Sequence, residues 1–260
     1  MGKNKLKKFA DMEQMECVFQ YPFSALGAEG CPMRGKWHSD YFQNDSPLSL
    51  ELGCGKGEYT VGLARRFPSR DFIGIDIKGA RMWTGARQAT QEGLGNVAFL
   101  RTSIELLPAF FSPGEVDQIW ITFPDPQMKK PRKRLTGTTM LATYRKVMRP
   151  GGRIHLKTDS PFLFTYTREM LRANGIAPLA CCDDIYAVTA DETPHEFPEG
   201  LTDIRTYYEQ QWLSRGMKIK YISFTVPGPE AELVEPEVEI EPDPYRAYPR
   251  HTVLPTDNNA

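Results

Sequence analysis

Three groups of residues in this 260-residue sequence have types and spacing that chemistry could use. The first is Glu51-Leu52-Gly53-Cys54-Gly55-Lys56-Gly57, a carboxylate followed by three glycines at alternate positions. Glycines in such a turn let a ligand approach the backbone; a plain tight turn is the other use of the same residues. The third glycine comes one residue early for the GxGxxG dinucleotide fingerprint. Glu51 also sets a negative charge beside the turn, which repels a phosphate and attracts the ammonium and sulfonium of S-adenosylmethionine (SAM). The turn favours SAM over a dinucleotide.

The second group is Asp76 and Ser103. A carboxylate ending a strand 25 residues beyond Glu51 can accept both hydroxyls of an adenosine ribose, and it can equally cap the helix that follows. Ser103 stands where many such enzymes carry an acid for the adenine amino group; a hydroxyl bonds there more weakly. The third group runs from Phe123-Pro124-Asp125-Pro126-Gln127-Met128 through Lys129-Lys130-Pro131-Arg132-Lys133-Arg134-Leu135. One acid flanked by prolines, which stiffen its loop, is followed by five cations. Such a run is either a solvated face or a set of phosphate contacts that orient a nucleic acid without reading its sequence.

The elements that must position these groups alternate. Strand patterns at Leu48–Leu52, Phe72–Asp76, Val97–Leu100, Val116–Ile121, Arg153–Lys157, Leu179–Ile185 and Lys218–Val226 are separated by helical spacing at Glu58–Phe67, Ala80–Glu92, Thr138–Met148, Phe162–Ala173 and Asp203–Arg215. This alternation predicts an α/β fold, a doubly wound, mostly parallel seven-stranded sheet, Rossmann-like and covered on both faces. Ligands then bind outside the carboxyl ends of the strands, near the switch point, where all three groups fall.

Composition bounds the rest. Hydrophobic residues at 40% and charged residues at 25% are ordinary globular usage, and no apolar run nears the ~20 residues of a bilayer span. The basic start lacks the apolar centre of a secretory signal, so a cytoplasmic protein is expected. Five cysteines without CxxC spacing, and His38, His155, His195 and His251 without ligand spacing, predict reduced thiols and no metal site. His155 and the adjacent Cys181 and Cys182 are read as packing residues of strands. Residues 227–260 hold seven prolines and eight acids against two arginines, a charge of −6 that leaves +5 for residues 1–226. The expected organisation is a basic lead-in at 1–45, a catalytic domain at 46–226, and an acidic, extended or disordered tail at 227–260. The sequence leaves the oligomeric state open between monomer and homodimer.

The combination of ELGCGKG at Glu51, GID at Gly74, FPDP with its basic run at Phe123, LKTD at Leu156 and TYYE at Thr206 resembles the bacterial tRNA (guanine-N7)-methyltransferases, from about Leu48 to Val226. The FPDP motif with the basic run is its specific part. The resemblance implies that SAM is bound by Glu51, Gly53, Gly55, Asp76, Ser103 and Asp125, with Asp125 catalytic. It implies substrate contacts at Lys129, Asp159, Thr206, Tyr207, Tyr208 and Glu209, and tRNA contacts at Pro131, Arg132, Lys133, Arg134, Leu135 and Thr136. Members often carry Asp at Ser103 and an aromatic at Gln127. On the residues alone, Asp159 could as well cap a helix, and Thr206 with Glu209 could form a capping box. Two other readings compete: a SAM methyltransferase acting on another RNA, a protein or a small molecule, and a non-catalytic RNA-binding protein. The basic run weighs against a protein or small-molecule substrate, and the three acids Glu51, Asp76 and Asp125 weigh against the binding protein.

Overall fold

The computed structural model describes residues 2–21, 26, 27, 30–188 and 197–244. Its elements are α1 (Gly2–Glu13), β1 (Val18–Gln20), β2 (Leu48–Leu52), α2 (Glu58–Arg66), β3 (Asp71–Ile75), α3 (Gly79–Glu92), β4 (Val97–Arg101), α4 (Leu107–Phe110), β5 (Val116–Thr122), α5 (Thr138–Tyr144), β6 (Met148–Thr158), α6 (Pro161–Ala173), β7 (Pro178–Cys182), α7 (Tyr207–Leu213) and β8 (Lys220–Thr225). The strands form one sheet in the order β1-β4-β3-β2-β5-β6-β8-β7. All neighbours are parallel except those of β8, which runs against β6 and β7. The chain winds outward through β3 and β4, then returns to the other side of β2 with β5. That reversal opens a crevice above the carboxyl ends of β2 and β5.

Every residue of β2 and β3 is buried, as expected of central strands with helices on both faces. One face packs Leu48, Leu50, Ile73, Leu100, Ile119 and Ile154 with Trp37, Phe110 and Tyr144; the other packs Phe72, Phe99 and Trp120 with Tyr59, Met82 and Tyr221. His155 lies in this second layer, 1% exposed, stacked 4.0 Å from Trp120 with its Nδ1 2.7 Å from the Tyr221 hydroxyl. It is a packing residue, and burial pushes its pKa well below the usual value.

The structure corrects the expected seven strands to eight. The extra strand, β1, lies in the lead-in and pairs in parallel with β4. Three residues carry no readable alternation, and the partner is some 80 residues away. The lead-in also supplies α1, which lies on α3 through the fully buried Met12, a 3.1 Å hydrogen bond from Trp83 Nε1 to Asp11, and Lys8 over the Trp83 ring. Trp37 is fully buried and donates to the Phe110 carbonyl at 2.9 Å. The described tail, 227–244, has no α-helix or strand but packs Leu233 and Ile240 against the first core layer. Residues 245–260, His195 and His251 lie outside the described residues. Among the described residues no helix is long and apolar enough to cross a membrane, and all five cysteines are free.

Where α2 and α3 meet behind the glycine turn there is no room for a side chain. A Cβ on Gly85 of α3 would lie 2.6 Å from the Lys56 carbonyl oxygen and 2.9 Å from Gly57 Cα. We expect Gly85→Ala to destabilise the protein by about 1–3 kcal/mol, the usual cost of overpacking, although alanine has the better helix propensity. Urea denaturation checks this, and an unchanged or raised midpoint would contradict the close contact.

Candidate active site

The glycine turn leaves β2 with Gly53 at φ 75° and Gly55 at φ 56°, a left-handed backbone that favours glycine. No atom lies within 4 Å of where a Gly53 Cβ would stand, so the turn presents open backbone. Asp76 braces the turn from β3: its Oδ2 accepts from the Gly55 N–H at 2.9 Å and its Oδ1 from the Lys78 N–H at 2.7 Å. Each oxygen keeps a lone pair. Lys78, not Asp76, is the N-cap of α3.

Gly53, Gly55 and Asp76 line a cavity together with Glu51, Lys56, Glu58, Arg81, Thr122, Phe123, Thr206, Tyr207 and Tyr208. Glu51 is 3% exposed. Its Oε2 accepts from the Thr60 N–H at 2.8 Å and from the Thr60 hydroxyl, and its Oε1 accepts from the Thr122 hydroxyl at 2.7 Å. Burial raises its pKa to about 7 despite these bonds. Three acids and two cations, with open glycine backbone, fit a ligand that carries both positive charges and a carboxylate. Ser103 is not among the residues lining this cavity; its hydroxyl donates to Glu105, which holds that carboxyl below its ordinary pKa.

The far wall is the start of α7, set by a buried ion pair. Lys157 Nζ lies 2.7 Å from Glu209 Oε1, and both side chains are fully buried. Lys157 also donates to the carbonyls of Leu201 at 2.6 Å and Ile204 at 3.2 Å, and Glu209 accepts from the Tyr186 hydroxyl at 2.7 Å. Burial pulls the Lys157 pKa down and Glu209 opposes it. Thr206 and Glu209 do form a capping box, so the Glu209 carboxylate faces inward. Tyr207 and Tyr208 follow on the outer side, 49% and 38% exposed, with Lys56 Nζ 4.5 Å from the Tyr207 ring. Sequence reading overlooked Lys157 as a site residue; its signal was a lysine at the inner end of the apolar run Ile154-His155-Leu156.

The third wall continues from Phe123, whose N–H donates to the Lys157 carbonyl at 2.8 Å. Phe123 and Gln127 hold φ values of 48° and 49°, a strained conformation for side-chain-bearing residues that clusters at functional sites. Between them Asp125 is exposed, its Oδ1 accepting from the Gln127 N–H at 3.0 Å. Asp159 follows β6 and is 1% exposed, while the N-cap of α6 is Ser160. The basic run divides. Lys129, Lys130, Pro131, Arg132 and Lys133 are exposed. Arg134 is 8% exposed, donates to the carbonyls of Met128 at 2.9 Å and Gln127 at 3.4 Å, and lies over the rings of Phe162 and Tyr166. Thr136 is fully buried against Thr167, and Leu135 is half-buried with its carbonyl taken by Tyr144. Arg134 and Thr136, expected as tRNA contacts, engage partners inside the protein, while the cations before them face water. No group of three or more His, Cys, Asp or Glu among the described residues could hold a metal ion.

Comparison with known proteins gives the family. The family described as "Putative methyltransferase" matches residues 45–222. The tRNA (guanine-N(7)-)-methyltransferase of Porphyromonas gingivalis is 60% identical over 92% of this chain and 96% of its own length. The chain belongs to the tRNA (guanine-N(7)-)-methyltransferase family. A second relative of that name, from Bacteroides thetaiotaomicron, is 55% identical over 96% of each chain. Among solved structures the fold is similar to that of the 16S rRNA methyltransferase KamB, with a TM-score of 0.55 and 18% identity over 74% of this chain and 93% of that one.

Glu51 gives this member of the tRNA (guanine-N(7)-)-methyltransferase family a measurable signature. Its folded pKa of about 7 lies above the ordinary value of 4.5, so the folded state binds the extra proton between those two values. The stability it contributes is complete below about pH 4.5 and is lost as pH rises through about 7. Relative to Glu51→Gln, the wild-type protein should therefore lose up to about 3 kcal/mol between pH 5 and pH 8 without ligand. Denaturant titrations of both proteins across that range test this, and parallel curves would mean that Glu51 is ionised throughout.

Proposed function

We propose that the protein transfers a methyl group from SAM to N7 of a guanine in tRNA, by family resemblance the guanine of the variable loop. The observation that carries this reading is continuity: the acid-lined cavity runs through Thr122 and Phe123 directly into a strained loop that presents one exposed acid and four exposed cations. SAM, when bound, supplies a methyl group on a positively charged sulfur. Asp76 is suited to the ribose hydroxyls, and Glu51 and the open turn at Gly53 and Gly55 to the charged amino-acid end; Ser103 remains the candidate for the adenine edge. A tRNA substrate implies a cytoplasmic site of action.

Guanine N7 carries a free lone pair, so no base need first remove a proton. What the residues contribute is alignment. Thr206, Tyr207 and Tyr208 offer a hydroxyl and two exposed rings on which a base can stack, and Asp159 lies at the carboxyl end of the neighbouring strand. Glu209 acts through the helix start that it anchors. Positive charge appears on the guanine ring during transfer, and the Asp125 carboxylate beside it would stabilise that charge. Lys129, Arg132 and Lys133 contact phosphates, with Pro131 stiffening the turn between them.

Methylation of bulk tRNA with labelled SAM tests the reading, and label appearing only on protein or on no macromolecule would overturn it. In a single-turnover assay at saturating SAM and tRNA, Asp125→Asn should be slowed by about 10²-fold or more, with tRNA affinity nearly unchanged. A near-normal rate would move the role elsewhere.

The cations supply a separate test. Neutralising Arg132 and Lys133 should weaken tRNA binding and reduce the salt slope by about 2. Arg134→Met, by contrast, should lower stability and leave the contact count unchanged. Equal salt slopes in wild type and the double variant would make the run a solvated face.

A further inference from the structure

The acidic tail is held at four successive points. Arg145 donates to the carbonyls of Gly228 at 3.3 Å and Ala231 at 2.7 Å. Asn174 and Val234 exchange two hydrogen bonds of 2.8 Å. Glu235 accepts from the Thr138 N–H and hydroxyl at the start of α5 and, with its other oxygen, from the Tyr166 hydroxyl at 2.6 Å. Asp243 then turns inward and is 5% exposed in a segment that is otherwise mostly open to water.

Asp243 sits where α6 and the Asp125 loop meet. Its Oδ1 accepts from the Phe162 N–H at 2.9 Å and its Oδ2 from the Ser160 hydroxyl at 2.5 Å, three and one residues beyond Asp159. Its own N–H points at the Met128 sulfur at 3.3 Å. The Met128 carbonyl in turn accepts from Arg134, whose guanidinium lies 4.9 Å from the Phe162 ring and 4.2 Å from the Tyr166 ring, and Tyr166 donates to Glu235 of the tail. Tail, α6, Arg134 and loop form a closed circuit. The first N–H groups of a helix have no partner within it; here an acid from the tail accepts one of them and also touches the loop. Glu237, Glu239 and Glu241, which lead up to Asp243, are exposed, and their charge repels phosphate.

We propose that Asp243 is a positioning residue for methyl transfer: the tail straps the Met128–Arg134 segment to the start of α6 and so fixes Asp125 and Asp159 relative to each other. This rests on the proposed function. The contribution is hydrogen bonding in one geometry, of which an asparagine, with one acceptor oxygen in place of two, keeps part and an alanine none. A misplacement of about 1 Å away from the chemistry can cost up to about 10²-fold in rate.

Single-turnover methylation of tRNA by the full-length protein, at saturating SAM and tRNA, is compared for wild type, Asp243→Ala, Asp243→Asn and Asn174→Ala, with thermal unfolding of each. Asp243→Ala should be slowed about tenfold or more, with SAM and tRNA affinities unchanged. Asp243→Asn should fall between wild type and Asp243→Ala, since its single amide oxygen can accept from the Phe162 N–H while its amide nitrogen cannot accept from the Ser160 hydroxyl. Asn174→Ala, which loosens the strap at its far end, should lower the unfolding temperature without slowing transfer. A chain ending at Glu241 keeps the Glu235 and Asn174 anchors and should be slowed like Asp243→Ala, which keeps the test open if that variant does not fold. A wild-type rate in Asp243→Ala or in the shortened chain overturns the proposal, and so does equal slowing by Asn174→Ala, which would make the tail a general stabiliser. Absence of tRNA methylation by the wild type overturns the proposed function itself, and with it this role for Asp243.

Discussion

Lys157 and Glu209 meet 2.7 Å apart without any exposure to water, and two walls of the cleft depend on how that pair is satisfied. Buried charges persist only when paired and fully hydrogen-bonded. Meeting that requirement recruits the carbonyls of Leu201 and Ile204 and the Tyr186 hydroxyl, which folds the stretch from 201 to 209 down onto β6. The same carboxylate closes the capping box that starts α7, and so decides where Tyr207 and Tyr208 emerge. On the opposite side the Lys157 carbonyl holds the N–H of Phe123, the residue at which the Asp125 loop leaves the sheet. Breaking a pair of this kind typically costs about 3–5 kcal/mol, so both walls are tied to a contact that is difficult to open.

The cations of the loop divide their labour by side-chain chemistry. Arg134 is inside, where a flat guanidinium can lie between two aromatic rings and still direct N–H groups to two carbonyls; a lysine ammonium is a compact, strongly hydrated charge that suits such a slot poorly. Lys129, Lys130, Arg132 and Lys133 remain in water, where positive charge suits a polyanion. A single run of like charges thus contains both the brace of the loop and its outward face.

Much of this was legible in the residues, and what was not has physical reasons. The glycine turn, Asp76 and the central strands were readable because positive-φ glycines and continuous apolar runs are local signals. β1 was not, since three residues gain strand identity only from a partner far along the chain. The inward partners of Arg134 and Thr136, here Phe162, Tyr166 and Thr167, were not readable, because charge and polarity in a run do not report which side chains have aromatic or hydroxyl neighbours. Glu209 was recognised from both of its possible uses, yet its pairing with Lys157 joins residues 52 positions apart. The tail's prolines and charge point to an extended or disordered segment, and its described part has no α-helix or strand; that Leu233, Ile240, Glu235 and Asp243 each find a site on the body is not a local signal.

The parallel pairing of β1 with β4 has a bearing on biosynthesis. Val18–Gln20 emerges from the ribosome roughly 80 residues before its partner Val97–Arg101, a delay of several seconds at about 5–20 residues per second. Over that interval Met12 and Trp37, both fully buried in the finished protein, have no complete surface to pack against. β1 therefore completes its pairing only after β4 has been made.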